Sequence, residues 1–180
     1  MKKITLILLL LIPTLLLSQT KKETEDWINN NINNYPVNYG DNPIEVVENI
    51  IIDGSSLYFY HHWNRQDDNY YSGTWTKINL KDIKSIEYSF DKSPGLNNKW
   101  IELHLNFNKG KSYQGKSQYP NEFRDNISYQ ILFDRTAIIM RLNMDFVESG
   151  MKKRIEKALL HIIKSYGGNA IVKTVKKEPF

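Results

Sequence analysis

The sequence predicts an α+β fold: a seven-stranded antiparallel sheet, bent or barrel-like, capped by a C-terminal helix and preceded by a short N-terminal helix. Three observations predict it. Apolar and polar residues alternate with a period of two through much of 45–146. A single amphipathic stripe at 151–166 then repeats with a helical period. Thr20 and Glu23 form a capping box ahead of an earlier helical segment that ends before Pro36.

The first 18 residues predict a cleavable secretory signal peptide. Lys2 and Lys3 precede the apolar stretch 4–17, and the small residue Ser18 follows it. That stretch is only 14 residues long and contains Pro13, whereas a membrane-spanning helix needs about 20 residues. We therefore expect an exported protein, periplasmic or secreted, with no stable membrane insertion after cleavage.

Composition limits the partners that we expect. The formal net charge of +4 includes Lys2 and Lys3, and a weak excess spread over the chain gives no electrostatic reason to expect nucleic acid or an anionic membrane as the main partner. The absence of cysteine excludes disulfides and a lipid anchor on cysteine, so packing alone must hold the fold. The 19 asparagines are attributed to an AT-rich genome.

Four segments follow from these patterns: a signal peptide at 1–18, an N-terminal helix and linker at 19–44, a sheet domain at 45–170 and a C-terminal tail at 171–180. The N-terminal helix is predicted at 21–34, docked through Trp27, Ile28 and Ile32. The tail either adds an edge strand or frays.

Seven strands are predicted at 46–52, 57–63, 70–80, 83–90, 100–107, 127–133 and 138–146. Asp53-Gly54 predicts a tight hairpin, Asn108-Lys109-Gly110 a turn into a loop at 111–126, and Asp134-Arg135 the last turn. The C-terminal helix buries one stripe and ends at Gly167-Gly168. The members of that stripe are Met151, Ile155, Ala158, Leu159, Ile162, Ile163 and Tyr166.

This order of elements resembles the pleckstrin-homology-like superfold, and Ile78 to Glu87 is similar to a strand-to-strand passage in its bacterial members and in GRAM domains. The segments 25–28 and 157–164 resemble uncharacterised exported proteins of Bacteroidetes. The resemblance covers 45–166 and implies a bent, nearly closed sheet with one end plugged by the helix. It does not carry over lipid binding, because the loop that holds Lys and Arg in phosphoinositide-binding members is here Asp53-Gly54-Ser55-Ser56.

No motif in the sequence predicts catalysis or a cofactor. There is no cysteine, no Gly-x-Ser-x-Gly elbow and no phosphate-cradling glycine-rich loop. His61 and His62 are adjacent on a strand and point to opposite faces, so they cannot easily share one ion. We expect no metal and no cofactor.

Strand aromatics and two histidines are the candidate ligand-binding residues: Tyr58, Tyr60, His62, Trp75, Trp100 and His104. Several of these residues fall opposite the predicted core face, where exposed rings can grip a ligand. The leading hypothesis is a non-catalytic exported binding module for a peptide, partner protein or glycan. Two alternatives stay open: an envelope hydrolase using His62 or His104 as acid/base, and a structural envelope component. The competing interpretation of the rings is that the N-terminal helix or a curl of the sheet covers them.

Overall fold

The computed structural model describes residues 20–37, 44–65, 71–91, 99–117 and 131–174. Its helices are α1 (Lys21–Asn31), α2 (Asp145–Glu148) and α3 (Met151–Ser165), with 3₁₀ turns at Ile32–Asn34 and Leu80–Asp82. Its strands are β1 (Ile44–Asp53), β2 (Ser56–Arg65), β3 (Tyr71–Asn79), β4 (Ile83–Asp91), β5 (Trp100–Ser117), β6 (Ile131–Asn143) and β7 (Ile171–Thr174). The predicted signal peptide and the start of the predicted sixth strand lie outside the described residues. None of the helices in these ranges has the length and apolarity to cross a bilayer.

The α+β class is confirmed, and the strands form two groups. One is the antiparallel trio β1-β2-β3, and the other is β6-β5-β4 with β7 parallel to β4. The C-terminal part of β5, 111–117, also pairs with β3 and joins the groups. Over the described residues the strands do not close into a barrel, and one seven-stranded antiparallel sheet is not confirmed. The tail does supply an edge strand, β7.

Two predicted turns are wrong, because β5 and β6 run through them. At Asn108-Lys109-Gly110 the register between β5 and β6 shifts instead of the chain reversing, as at a β-bulge. An added Cβ on Gly110 would lie 2.5 Å from Ile78 Cγ2 and 2.6 Å from Phe107 Cε2. The glycine thus lets the backbone of β5 approach the core. Asp134 and Arg135 continue the β6 ladder, and the last residues predicted as strand, 145 and 146, lie in α2.

The helices pack on one core between the two groups of strands. Ile28 and Ile32 at the N-terminal end are fully buried, as are Ile155 and Leu159 of α3. The capping box is confirmed: Glu23 N–H donates to Thr20 Oγ1 at 3.1 Å, and Thr20 N–H donates to Glu23 Oε2 at 2.7 Å. Both helices therefore lie as their apolar stripes predict.

Side chains cover the edge of β1 where no strand pairs with it over the described residues. Asn29 and Asn33 bond through their amides to the backbones of Ile52 and Ile50. On the facing strand β6, Asn143 N–H donates to the Tyr35 carbonyl at 2.9 Å. The segment 29–35 thus satisfies backbone groups that a closed barrel would satisfy by strand pairing.

Candidate functional site

Strands β2 and β3 present a cluster of rings on the side opposite the core. Side chains alternate along a strand, so Tyr58, Tyr60 and His62 point away from the core residues Leu57 and Phe59. The β2–β3 register then places Tyr60 opposite Trp75 and His62 opposite Gly73. We call Tyr58, Tyr60, His62 and Trp75 the aromatic face.

The rings of the aromatic face pack against one another. Tyr58 meets Trp75 edge to face, with centroids 5.0 Å apart and planes at 87°. Tyr60 stacks on Trp75 at 5.9 Å and on His62 at 5.8 Å, with interplanar angles of 27° and 15°. Because stacking uses the ring faces, Tyr60 has mainly its edge and its hydroxyl left for a ligand.

Two members of the aromatic face are buried and two are partly accessible to solvent. Trp75 is 7% exposed and His62 is 4% exposed, while Tyr58 and Tyr60 are half-buried. Of the two interpretations that the sequence left open for Trp75, an exposed ring and a covered ring, the structure shows a covered ring, and the tyrosines are the accessible members. The buried indole Nε1 of Trp75 has no hydrogen-bond acceptor among the described residues.

The environment of His62 keeps its imidazole neutral at neutral pH. Burial, with a smaller contribution from the neighbouring charge of His61, lowers the pKa of His62 to about 4. Gly73 is required opposite this residue, because an added Cβ there would lie 2.7 Å from His62 Cβ. A general base works best with a pKa near the working pH, so His62 is poorly suited to acid/base work at pH 7.

Trp100 and His104 do not belong to the aromatic face, which corrects the grouping expected from the sequence. The β5 residue opposite Trp75 is Tyr113, which is 13 residues beyond Trp100 and 9 beyond His104. At ~3.3 Å per residue these separations are roughly 40 and 30 Å along the strand. Trp100 is also buried, with 5% exposure.

His104 lies instead in a polar cluster on the outer face of β4 and β5. Its Nε2 is 2.9 Å from Ser89 Oγ and 3.1 Å from Glu102 Oε2. Ser89 Oγ also donates to Glu102 Oε2 at 3.3 Å. The carboxylate that the hydrolase hypothesis requires beside His104 is thus present.

The geometry of this cluster differs from that of a Ser–His–acid triad. In a triad the nucleophile and the orienting acid occupy different nitrogens of the imidazole. Here Ser89 and Glu102 both contact Nε2 of His104. Glu102 therefore competes with Ser89 for one ring nitrogen and does not orient the ring from behind.

Sequence reasoning missed a second carboxylate, which links β1 to β6. Glu48 Oε2 accepts from Arg141 N–H at 2.6 Å, and Glu48 Oε1 accepts from Arg141 Nη1 at 2.6 Å and contacts His61 Nδ1 at 3.0 Å. The Glu48 side chain is only 6% exposed. Its position in phase with the buried Ile50 and Ile52 is the signal that could have identified it.

Within the described ranges, no group of three His, Asp or Glu side chains is arranged to hold a metal ion. No protein-family model, no curated protein and no solved structure matches this chain. The pleckstrin-homology-like resemblance therefore stays a prediction.

Proposed function

We propose that this protein is an exported, non-catalytic binding module that holds a peptide segment of a partner protein against the aromatic face. The observation that supports this proposal is the pair of half-exposed tyrosines, Tyr58 and Tyr60, on a sheet face opposite the core. Buried Trp75 and His62 support them from below. Tyrosine is enriched in binding interfaces because it offers a large apolar ring and a polar tip.

A peptide suits this face better than a glycan. Sugar recognition by aromatics uses a ring face that is open to solvent, whereas the faces of Tyr60 are turned to Trp75 and His62. Ring edges and hydroxyls remain, which can pack on apolar side chains and bond peptide groups. The contacts between rings also hold the tyrosines in place before binding, which reduces the entropy that association costs.

Neither histidine favours the hydrolase alternative. The pKa of His62, about 4, keeps it a weak base at neutral pH. His104 meets Ser89 and Glu102 on one nitrogen. Binding without chemistry is the simpler role for this arrangement.

We also propose that the fold is a variant of the pleckstrin-homology-like superfold. Its support is the continuous pairing from β1 through β2, β3 and β5 to β6, together with α3 packed on the core. The segment that contains α1 replaces the last pairing of a closed barrel, through Asn29 and Asn33.

Selection of peptides on the folded protein tests the binding proposal. Random dodecapeptides displayed on phage are selected on the wild type, and the dissociation constants of the selected peptides are measured by calorimetry. The variant Tyr58→Ser/Tyr60→Ser is expected to raise these constants by roughly 30-fold, as loss of a hot spot does.

The matched control is Phe90→Ser/Ile139→Ser, which removes two exposed apolar side chains, 59% and 38% exposed, from the other group of strands. This control is expected to change the constants less than ~3-fold, since these side chains lie outside the proposed site. Equal losses in both variants, or selected peptides that bind the tyrosine variant normally, would refute the aromatic face as the binding surface.

A further inference from the structure

The charge of the chain is concentrated on one helix. α3 contains Lys152, Lys153, Arg154, Lys157 and Lys164 against the single acid Glu156, a formal +5 − 1 = +4. The whole chain also carries +4, so the charges outside α3 sum to zero. The net positive charge of the chain is therefore that of α3, which is strongly basic.

Three of these lysines form a line on the solvent side of α3. With 100° per residue, Lys153, Lys157 and Lys164 fall within an arc of about 40°, opposite the buried Ile155 and Ile162. At ~1.5 Å per residue the line is roughly 16 Å long. We call Lys153, Lys157 and Lys164 the basic stripe. His161 is exposed beside it.

Within the described part of the chain, no carboxylate pairs with the lysines of the basic stripe. The lysines of the stripe are exposed, and within the described ranges Lys153, Lys157 and Lys164 make no ion pair. A stripe of like charges at helical spacing destabilises a helix slightly, and Glu156, three residues after Lys153, is the one acid on α3 that can offset it.

Two further exposed lysines belong to elements that lie near the C-terminal end of α3. Lys21 Nζ lies 4.5 Å from the centroid of the Tyr166 ring. Lys81 Cα would lie 3.0 Å from a Cβ on Gly168. The Glu25 carboxylate accepts from the Tyr166 hydroxyl at 2.6 Å in the same place, so the unpaired positive charge of this side is that of the basic stripe.

We propose that the basic stripe of α3 docks the protein on the surface of an anionic lipid bilayer. Anionic lipid headgroups have the complementary charge. Each Lys or Arg near such a surface raises the affinity of the protein for the membrane about 5-fold. The apolar side of α3 is committed to the core, so attachment is peripheral and electrostatic, without insertion. Single-stranded nucleic acid fits less well, since its sites combine basic residues with aromatic rings that are open for base stacking. The rings of Trp27 and Tyr166 beside α3 are instead packed against the core and lie under Arg154 and Lys21.

Vesicle sedimentation with the full folded protein tests this inference. Vesicles of phosphatidylglycerol and phosphatidylcholine in equal parts are expected to bind the protein at low ionic strength. Pure phosphatidylcholine is expected to leave it in solution, and salt near 1 M, where the Debye length is ~3 Å, to release it. Lys157→Gln/Lys164→Gln is expected to weaken binding by roughly 30-fold.

The control Lys99→Gln/Lys109→Gln removes the same charge from exposed positions on and beside β5. It is expected to weaken binding less than ~3-fold, because these lysines lie outside the stripe. Circular dichroism verifies that both variants are folded. Equal weakening by both variants, binding to neutral vesicles, or binding to an oligonucleotide but not to anionic vesicles would overturn the proposal. The inference does not depend on the aromatic face.

Discussion

Asn33 and Ile50 exchange two hydrogen bonds in the manner of paired strands. Ile50 N–H donates to Asn33 Oδ1 at 2.9 Å, and Asn33 Nδ2 donates to the Ile50 carbonyl at 2.9 Å. One turn earlier, Asn29 makes the same pair with Ile52 at 2.8 Å each way. A carboxamide presents an N–H donor and a carbonyl acceptor side by side, so it can replace a peptide group at a strand edge.

Replacing Asn33 with alanine is expected to destabilise the protein by about 2 kcal/mol. The change removes both bonds and leaves the edge groups of Ile50 without their side-chain partners. Urea unfolding at pH 7 measures the difference. Asn30→Ala is the matched control, because Asn30 is exposed near the end of α1, three residues before Asn33, and alanine favours helix there.

The Asn30 control is expected to be neutral or stabilising by a few tenths of a kcal/mol. If Asn33→Ala unfolds at the same urea concentration as Asn30→Ala, the amide pairing does not contribute to stability.

Glu48→Ala is expected to lower the free energy of unfolding by about 2–3 kcal/mol. The buried carboxylate accepts from both the N–H and the guanidinium of Arg141, and loss of one partner of such a group is costly. The loss is limited because the Arg141 side chain is 33% exposed and its Nε also lies 3.5 Å from Glu102 Oε1.

An exposed ion pair provides the comparison for Glu48. Asp26 contacts Lys22 at 2.9 Å, with side chains 53% and 71% exposed. Asp26→Ala is expected to change stability by less than ~0.5 kcal/mol. Similar effects of the two substitutions in urea unfolding would contradict a special role for Glu48 between β1 and β6.

His62 makes the stability depend on pH between about 6.5 and 4. Its pKa is lowered from 6.5 to about 4 in the folded protein, so the unfolded chain binds more protons in this window. The stability that neutral His62 contributes is complete above pH 6.5 and is lost as the pH falls towards 4. Between pH 7 and 4.5 the loss is about 2–3 kcal/mol.

His62→Gln removes this titration, because glutamine is neutral at every pH in the window. The variant is expected to lose about 2–3 kcal/mol less than the wild type when urea unfolding at pH 7 is compared with unfolding at pH 4.5. Parallel losses in both proteins would mean that His62 is not buried in its neutral form.

Local patterns predicted the helices and the face of each ring, because they depend on near neighbours. The capping box at Thr20 set the start of α1, and Gly54, with φ 56°, forms the β1–β2 turn. The period-two alternation in β2 placed Tyr58, Tyr60 and His62 on the face of the strand that points away from the core residue Leu57. These features need no knowledge of distant pairing.

Features that depend on tertiary contacts were not predicted. The turn signal at Gly110 was overridden by pairing and by contact with Ile78 and Phe107. Trp100 was grouped with the tyrosines because alternation gives the face of a residue but not its distance along a strand. The presence of Asn29 and Asn33 was attributed to the overall abundance of asparagine. Their role in pairing with the edge of β1 becomes visible only when the position of that strand is known.

NMR titration locates a bound ligand residue by residue and therefore tests whether ligands bind on the aromatic face. The probe is the tightest dodecapeptide selected on the wild type, added stepwise to ¹⁵N-labelled protein. Binding on the aromatic face is expected to give the largest amide shifts at 58–62 and 73–77, with little change at 85–89 and 102–106. Shifts concentrated around Ser89, Glu102 and His104, with 58–62 unchanged, would contradict it and point to the polar cluster instead.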